Sequence, residues 1–294
     1  MVVDVLLPYY GDAELMKQAV RSVLDQHHRD FRLVVIDDAY PDDVIARWLK
    51  SLGDERIEYH RNDTNLGVNG NFRKALTFVR NELVVIMGTD DVMLPTHLSW
   101  LVATAERHPQ AQIFQPGVFV IDGRGAPSNT LVERMKSYYR PNGSGVRLLG
   151  GEALAASLLR GDWLYFPSLG WRAGTICGVG FRPEYEVVPD LALVLDIVMH
   201  GGTLVLDDTV TFCYRRHSTS VSSWRAQDGS RFAEERRYFG VVRRELSSLG
   251  WNRASRIARM RLSSRLHAIT QLPKALVARD VSSARQLVSH VLSK

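Results

Sequence analysis

A doubly wound, mostly parallel α/β sheet with a helical appendage at its C-terminal end is the fold predicted by three features of this 294-residue chain. Short apolar runs alternate with amphipathic segments as far as Tyr214, the pattern of repeated strand–helix units. The runs Val34-Val35-Ile36 and Leu83-Val84-Val85-Ile86 are unbroken rather than alternating, as in strands covered on both faces. Both lead into adjacent carboxylates, Asp37-Asp38 and Asp90-Asp91, at the end of the strand where open α/β sheets bind ligands.

Taken in order, residues 2–7 form the first strand, stopped by Pro8. Asp12 suits the N-cap of a helix over 12–26, with Met16, Ala19, Val20, Val23 and Leu24 on one face. Residues 31–36 are the second strand, 44–52 a helix and 56–60 a short third strand. The Gly- and Asn-rich stretch 65–71 reads as a loop before a helix over 72–80. After the fourth strand at 83–87 come a helix near 95–107 and a fifth strand at 112–121. Residues 122–150, rich in Gly, Pro, Ser and Asn, read as an excursion with one short helix, followed by a helix over 152–159. The aromatic run 163–172 either makes a platform for a sugar or lipid or fills core. A helix over 191–200, two short strands at 203–206 and 211–214, and three helices broken near Gly250 and at Pro273 complete the chain.

Composition narrows the function classes. Charged and apolar fractions are those of a packed globular chain. No uncharged apolar run reaches the ~18 residues of a membrane span, and the start lacks the basic region of a signal peptide. A cytoplasmic protein is expected. Two cysteines, Cys177 and Cys213, support neither a disulfide framework nor a zinc site. From Arg225 onward fifteen Lys/Arg face five Asp/Glu, a net +10, against −5 for residues 1–224. The acidic part suits a cation, and the basic end suits an anionic surface.

The carboxylate pair Asp90-Asp91 has two readings: a divalent cation site, since Mg²⁺ and Mn²⁺ favour carboxylate oxygens, or a cap for the helix near Pro95. The turn after the first strand, Pro8-Tyr9-Tyr10-Gly11, contains neither a dinucleotide fingerprint nor a P-loop. No nucleophile elbow and no H-E-x-x-H occur. A nucleotidyltransferase, which shares the α/β core and the carboxylate–metal logic, would carry a Gly-rich basic loop at that turn.

Several short motifs then fall in order: Pro8-Tyr9-Tyr10, Ser22-Val23-Leu24-Asp25-Gln26, Val34-Val35-Ile36-Asp37-Asp38, Asn65-x-Gly67, Thr89-Asp90-Asp91, Pro189-Asp190 and Tyr214-Arg215-Arg216-His217. This ordered set resembles the family-2 glycosyltransferases of the GT-A fold over residues 1–222; the resemblance does not extend to residues 223–294, the basic helical region. The resemblance implies an inverting, metal-dependent enzyme that moves a sugar from a UDP- or dTDP-sugar to a hydroxyl of a glycan, glycolipid or small-molecule acceptor. It implies Mn²⁺ or Mg²⁺ held mainly by Asp91, with His217 a further metal or diphosphate ligand and Asp90 on the donor ribose or metal-bound water. Asp37 and Asp38 would take the base or ribose, and Pro8 and Tyr10 would frame the base. Asn65, Gly67 and Arg73 would complete the nucleotide pocket, although Arg73 is displaced from the family's commonest pattern. Asp190 matches the position of the catalytic base; the family's usual Glu-Asp pair is here Pro189-Asp190, with Glu184 and Glu186 as nearby rivals. Arg215 and Arg216 would neutralise phosphate or sit in solvent.

A non-enzymatic alternative is a membrane- or nucleic-acid-binding module led by the C-terminal helices. Arg253, Arg256, Arg259, Arg261 and Arg265 read as spread around one helix. That pattern suits a solvated face, self-association or a peripheral contact at the inner membrane face, and no nucleic-acid partner is expected.

Overall fold

The computed structural model describes residues 1–216, 230–277 and 281–292. Strands and helices alternate as β1 (Val3–Tyr9), α1 (Ala13–Leu24), β2 (Phe31–Asp37), α2 (Val44–Leu52), β3 (Ile57–Arg61), α3 (Gly67–Leu76), β4 (Leu83–Ile86), β5 (Val92–Met93) and α4 (His97–Arg107). There follow β6 (Ile113–Asp122), α5 (Leu131–Tyr139), β7 (Arg147–Gly150), α6 (Gly151–Arg160), β8 (Gly170–Arg172), α7 (Ala173–Val179), α8 (Pro189–Met199) and β9 (Thr203–Arg216). The C-terminal helices are α9 (Ser230–Ser248), α10 (Asn252–Met260), α11 (Leu262–Val277) and α12 (Val281–Leu292).

The strands form one sheet in the order β3-β2-β1-β4-β8-β6-β9-β5, with β7 also paired to β9. β1, β2, β3 and β4 are mutually parallel. β8 is antiparallel to both β4 and β6, so β6 runs the same way as β4, and β9 is parallel to β6. The carboxyl ends of β1, β2, β4, β6 and β9 therefore share one edge of the sheet.

Alternation along the strands serves two buried layers. Leu6, Val34, Ile36, Val84 and Ile86 face a core built with α6 and α8. Val5, Leu7, Leu33, Val35, Leu83 and Val85 face α1, α2 and α4. The aromatic run resolves as core: Trp163, Phe166 and Trp171 are buried in the first layer. Tyr238, Phe239, Val242 and Leu246 of α9 and Ala254, Ile257 and Ala258 of α10 join that same layer, so these two helices of the C-terminal region pack onto it.

Several expected elements came out differently, each for a local reason. The Asn-rich stretch is helix rather than loop. The Asn65 side chain accepts the Gly67 N–H at 2.9 Å and Gly67 is left-handed at φ 75°, which starts α3 five residues early. Asn69 and Asn71 then bury their amides by donating to Arg182 O, Tyr185 O and Ile36 O. The two short strands at 203–206 and 211–214 are one strand, β9. The strand runs on through Asp207 and Asp208, opposite the point where β6 shifts register around Gly117. Asp207 is held there by Trp100 Nε1–H at 2.8 Å. Pro273 lies inside α11 instead of ending a helix, and the break falls at Arg261, left-handed at φ 47°.

At the amino edge of the sheet, buried Asp4 accepts from Arg32 Nε, Arg80 N, Asn81 N and Asn81 Nδ2 at 2.6–3.0 Å. Burial raises its pKa, but these four donors outweigh it and hold the carboxyl below the usual range. Its stabilising contribution is thus present above the unfolded carboxylate range and lost as pH falls through it. Asp4→Ala is expected to cost about 3 kcal/mol in denaturant unfolding at neutral pH. The loss of stability on acidification below about pH 4 should be shallower in the variant than in the parent.

Candidate active site

The carboxyl edge gathers the acidic residues singled out from sequence. β4 ends at Ile86, and the chain turns through Gly88-Thr89-Asp90-Asp91 into β5. Asp91 is 1% exposed. Its Oδ1 accepts the Arg215 N–H at 2.8 Å, while Oδ2 is buried with no hydrogen-bond partner. Burial, with Asp90's charge adding to it, pushes the Asp91 carboxyl well above the ordinary range. A Cβ on Gly88 would stand 2.5 Å from Asp91 Oδ2 and 3.0 Å from Asp90 Oδ1, so glycine lets both carboxylates close over the backbone. Neither caps α4, whose N-cap is Thr96.

An orphaned, buried carboxylate oxygen beside a second carboxylate is costly unless a cation completes it. Among the described residues no three His, Cys, Asp or Glu side chains gather as a metal cage. The donor set fits a Mn²⁺ or Mg²⁺ ion held by one or two carboxylates with ligand phosphate supplying the rest, the usual arrangement for Mg²⁺. His217 lies outside the described residues.

Arg215 corrects the expectation of a phosphate-binding or solvated side chain. It is 4% exposed, and its guanidinium donates to Asp90 O at 2.7 Å and Gln18 Oε1 at 3.0 Å. Arg216 is likewise engaged, donating to Glu133 Oε1 at 2.6 Å.

At the end of β2, Asp37 is occupied locally: it accepts Tyr40 N–H at 2.7 Å, Tyr59 OH at 2.5 Å and Arg61 Nη1 at 3.2 Å. Asp38 Oδ1 accepts Asn62 Nδ2 and Leu66 N–H, both at 2.8 Å, and fixes the approach to α3. Asp38 Oδ2 makes no hydrogen bond among the described residues. Pro8 sits in β1 opposite Ile36, and Tyr10, 54% exposed, meets Tyr40 edge-on at 5.4 Å. Asn65 and Gly67 open α3 at this edge. Arg73 is exposed in the last turn of α3, roughly 9 Å further along the axis, toward the opposite edge.

Asp190 lies in the first turn of α8. Because α8 leads back to the start of β9, its N-terminus faces the same carboxyl edge. The helix begins two residues earlier than expected, with Val188 as N-cap, and among the described residues Asp190 Oδ1 accepts its neighbour Leu191 N–H at 2.8 Å. Burial and the negative charge of Asp162 push its pKa up to about 6, against the opposing charges of Lys136 and Arg231.

What joins Asp91 to Asp190 was not legible in sequence: α5, from the Gly- and Ser-rich excursion. This helix turns its charges inward. Glu133 is buried and binds Arg216 and the Tyr165 hydroxyl, while Lys136 donates to Leu164 O and lies 4.6 Å from the Tyr165 ring centroid. Tyr165 meets Tyr214 at 5.2 Å. Tyr214 feels the charges of Asp91, Asp90 and Glu133, and Lys136 those of Asp162, Glu133 and Asp190. Ring contacts and charges through Tyr214, Tyr165 and α5 thus link the neighbourhoods of Asp91 and Asp190. A surface depression of about 500 Å³, lined by Met1, Glu82, Glu106 and Arg172, lies at the amino edge, away from this chemistry.

Comparison with known proteins bears on family and fold. The chain is similar to the putative glycosyltransferase EpsE of Bacillus subtilis, 26% identical over 125 residues, 42% of this chain and 45% of that protein. The match therefore spans less than half of that relative. Among solved structures it resembles S. aureus TarS 1–349 in complex with UDP-GlcNAc, with a TM-score of 0.72, 15% identity, and coverage of 99% of this chain and 79% of that one. It also resembles the mannosyltransferase PcManGT from Pyrobaculum calidifontis in complex with GDP-Man and Mn²⁺, with a TM-score of 0.63, 15% identity, and coverage of 98% and 78%. At such identities these two structures speak for a shared GT-A fold. The family model for glycosyl transferase family 2 matches residues 4–161, more than half of the sequence, and the chain belongs to that family.

Proposed function

We propose that this protein is an inverting glycosyltransferase that moves a sugar from a nucleotide-diphosphate donor to a hydroxyl of a glycan, glycolipid or small-molecule acceptor. The observation that carries the reading is the orphaned Oδ2 of buried Asp91, at the same edge of the sheet as Asp190, whose pKa is raised to about 6. Family membership favours glycosyl over nucleotidyl transfer. The nucleotide sugars named with TarS and PcManGT, and the Mn²⁺ named with the latter, support a donor and cation of the same classes here.

In this reading Asp91, with Asp90 beside it, would hold a Mn²⁺ or Mg²⁺ ion, which would supply positive charge against the leaving diphosphate. Asp38 Oδ2 accepts the N3–H of a uracil or thymine, which favours a UDP- or dTDP-sugar, and Tyr10 with Pro8 borders the base. The loop at Asn65 and Gly67 closes the nucleotide side. Arg73, directed to the far edge of the sheet, has no part in it. Asp190 takes the proton from the acceptor hydroxyl as its oxygen attacks the anomeric carbon and the bond to the diphosphate oxygen breaks, inverting that carbon. Lys136 and Arg231 favour the ionised base, and Asp162 opposes them.

Thermal-shift measurements test the donor side. UDP or dTDP with Mn²⁺ should raise the melting midpoint, with stabilisation of about 2.7 kcal/mol at a hundred times Kd. Asp91→Asn keeps an acceptor for the Arg215 N–H yet removes the buried charge. It should raise the midpoint of the ligand-free protein while abolishing the Mn²⁺-dependent shift. If no nucleotide moves the midpoint in the presence of Mn²⁺, the donor assignment fails.

Turnover tests the base. A base must be ionised to accept a proton, so kcat/KM should rise with pH through about 6 and level off above it. Asp190→Asn should lower turnover about a thousandfold and leave nucleotide binding intact. Asp162→Asn, which removes the nearby negative charge, should move the acid limb to lower pH. A fully active Asp190→Asn enzyme would place the base elsewhere.

A further inference from the structure

α10 and α11 present different chemistry on either side of one tight turn. Arg253, Arg256 and Arg259 recur every third residue on the exposed side of α10, whose other side, Ala254, Ile257 and Ala258, is buried in the main core. Arg261 would disperse this row on a continuous helix. It is instead left-handed and 4% exposed, so the helix ends before it. The expected scatter of arginines around one helix is therefore corrected: three of them form an exposed row.

α11 is apolar on two sides. Ala268 and Leu272 pack with Phe232 and Leu287 in a small core of their own. On another side Leu262, Leu266 and Ile269 are 61%, 46% and 46% exposed. With exposed Pro273 they follow i, i+4, i+7, i+11 spacing, a row roughly 16 Å long. Met260, at the turn, is also exposed. Isolated exposed leucines are ordinary; an aligned row on a helix that has already buried its other apolar side is not.

We propose that this turn and its two helices dock on an anionic lipid bilayer, independently of the glycosyl-transfer reading. The apolar row would enter the boundary between headgroups and acyl chains, and the arginine row would engage lipid phosphates. Charge complementarity selects this occupant. The sequence from Arg225 onward carries a net +10, so a second copy packed symmetrically on the same face would bring like charges together. Nucleic acid would leave the apolar row in water. Among the described residues no helix is long and apolar enough to cross a membrane.

Flotation of the full chain with vesicles tests this. The protein should float with phosphatidylglycerol-rich vesicles and not with pure phosphatidylcholine. Binding should weaken about fivefold for each arginine removed in the series R256Q, R256Q/R259Q and R253Q/R256Q/R259Q. L262S/L266S/I269S should abolish flotation without lowering the melting midpoint, since these side chains face solvent. Should that variant unfold, the single Leu266→Gln carries the same comparison. Failure of the parent chain to float, or flotation unchanged by the serine substitutions, overturns the proposal. So does a lipid-free dimer that the serine variant dissolves, or binding to duplex DNA in place of vesicles.

Discussion

Arg215 holds the Asp90-Asp91 turn from two directions: its backbone N–H reaches Asp91 Oδ1 and its guanidinium reaches Asp90 O. A carboxylate this deeply buried would ordinarily be displaced toward water or neutralised. Here one oxygen is satisfied by a main-chain donor at the end of β9, and the other is left buried without a partner. The arginine that could have quenched the charge spends its hydrogen bonds on Asp90 O, Asp122 O, Gly123 O and Gln18. The turn is thereby fixed in place without being electrostatically completed, the condition a metal and diphosphate pocket requires.

The sheet makes this contact available. Residues 91 and 215 are distant in sequence, and they meet because β5 pairs antiparallel with the outer end of β9 while β9 runs parallel to β6. The antiparallel β8 fills the gap between β4 and β6 and keeps their carboxyl ends on one edge. α8 then enters with its N-terminus at that edge. A strand order less faithful to a common direction would have placed Asp91 and Asp190 on opposite rims.

The middle of the cleft is held by α5, an inside-out helix. Glu133 and Lys136 face inward, where Glu133 ties Arg216 to Tyr165 and Lys136 sets its charge near Asp162 and Asp190. Burying such groups is tolerable because each has a partner. Two carboxylates sharing one low-dielectric neighbourhood, Asp162 and Asp190, explain why one of them stays protonated to higher pH than usual. The same electrostatic logic appears twice, with Asp90 and Asp91 and again with Asp162 and Asp190.

Local chemistry in the sequence determined most of the strands, the two-faced burial of β2 and β4, and the clustering of Asp37, Asp38 and Asp91 at strand ends, because apolar runs and their terminating residues are short-range signals. It also carried Asp190 to the head of a helix. What only the tertiary structure decided was which polar groups are already occupied: Asp37 by Tyr59 and Arg61, Arg215 by the Asp90-Asp91 turn. Equally beyond the sequence were the continuity of β9 through Asp207 and Asp208, and the entry of α5 into the cleft. These depend on partners far apart in sequence, such as Arg215 and Gln18, 197 residues apart. A side chain's freedom to bind a ligand is set by what surrounds it in space, and spacing along the chain does not encode that.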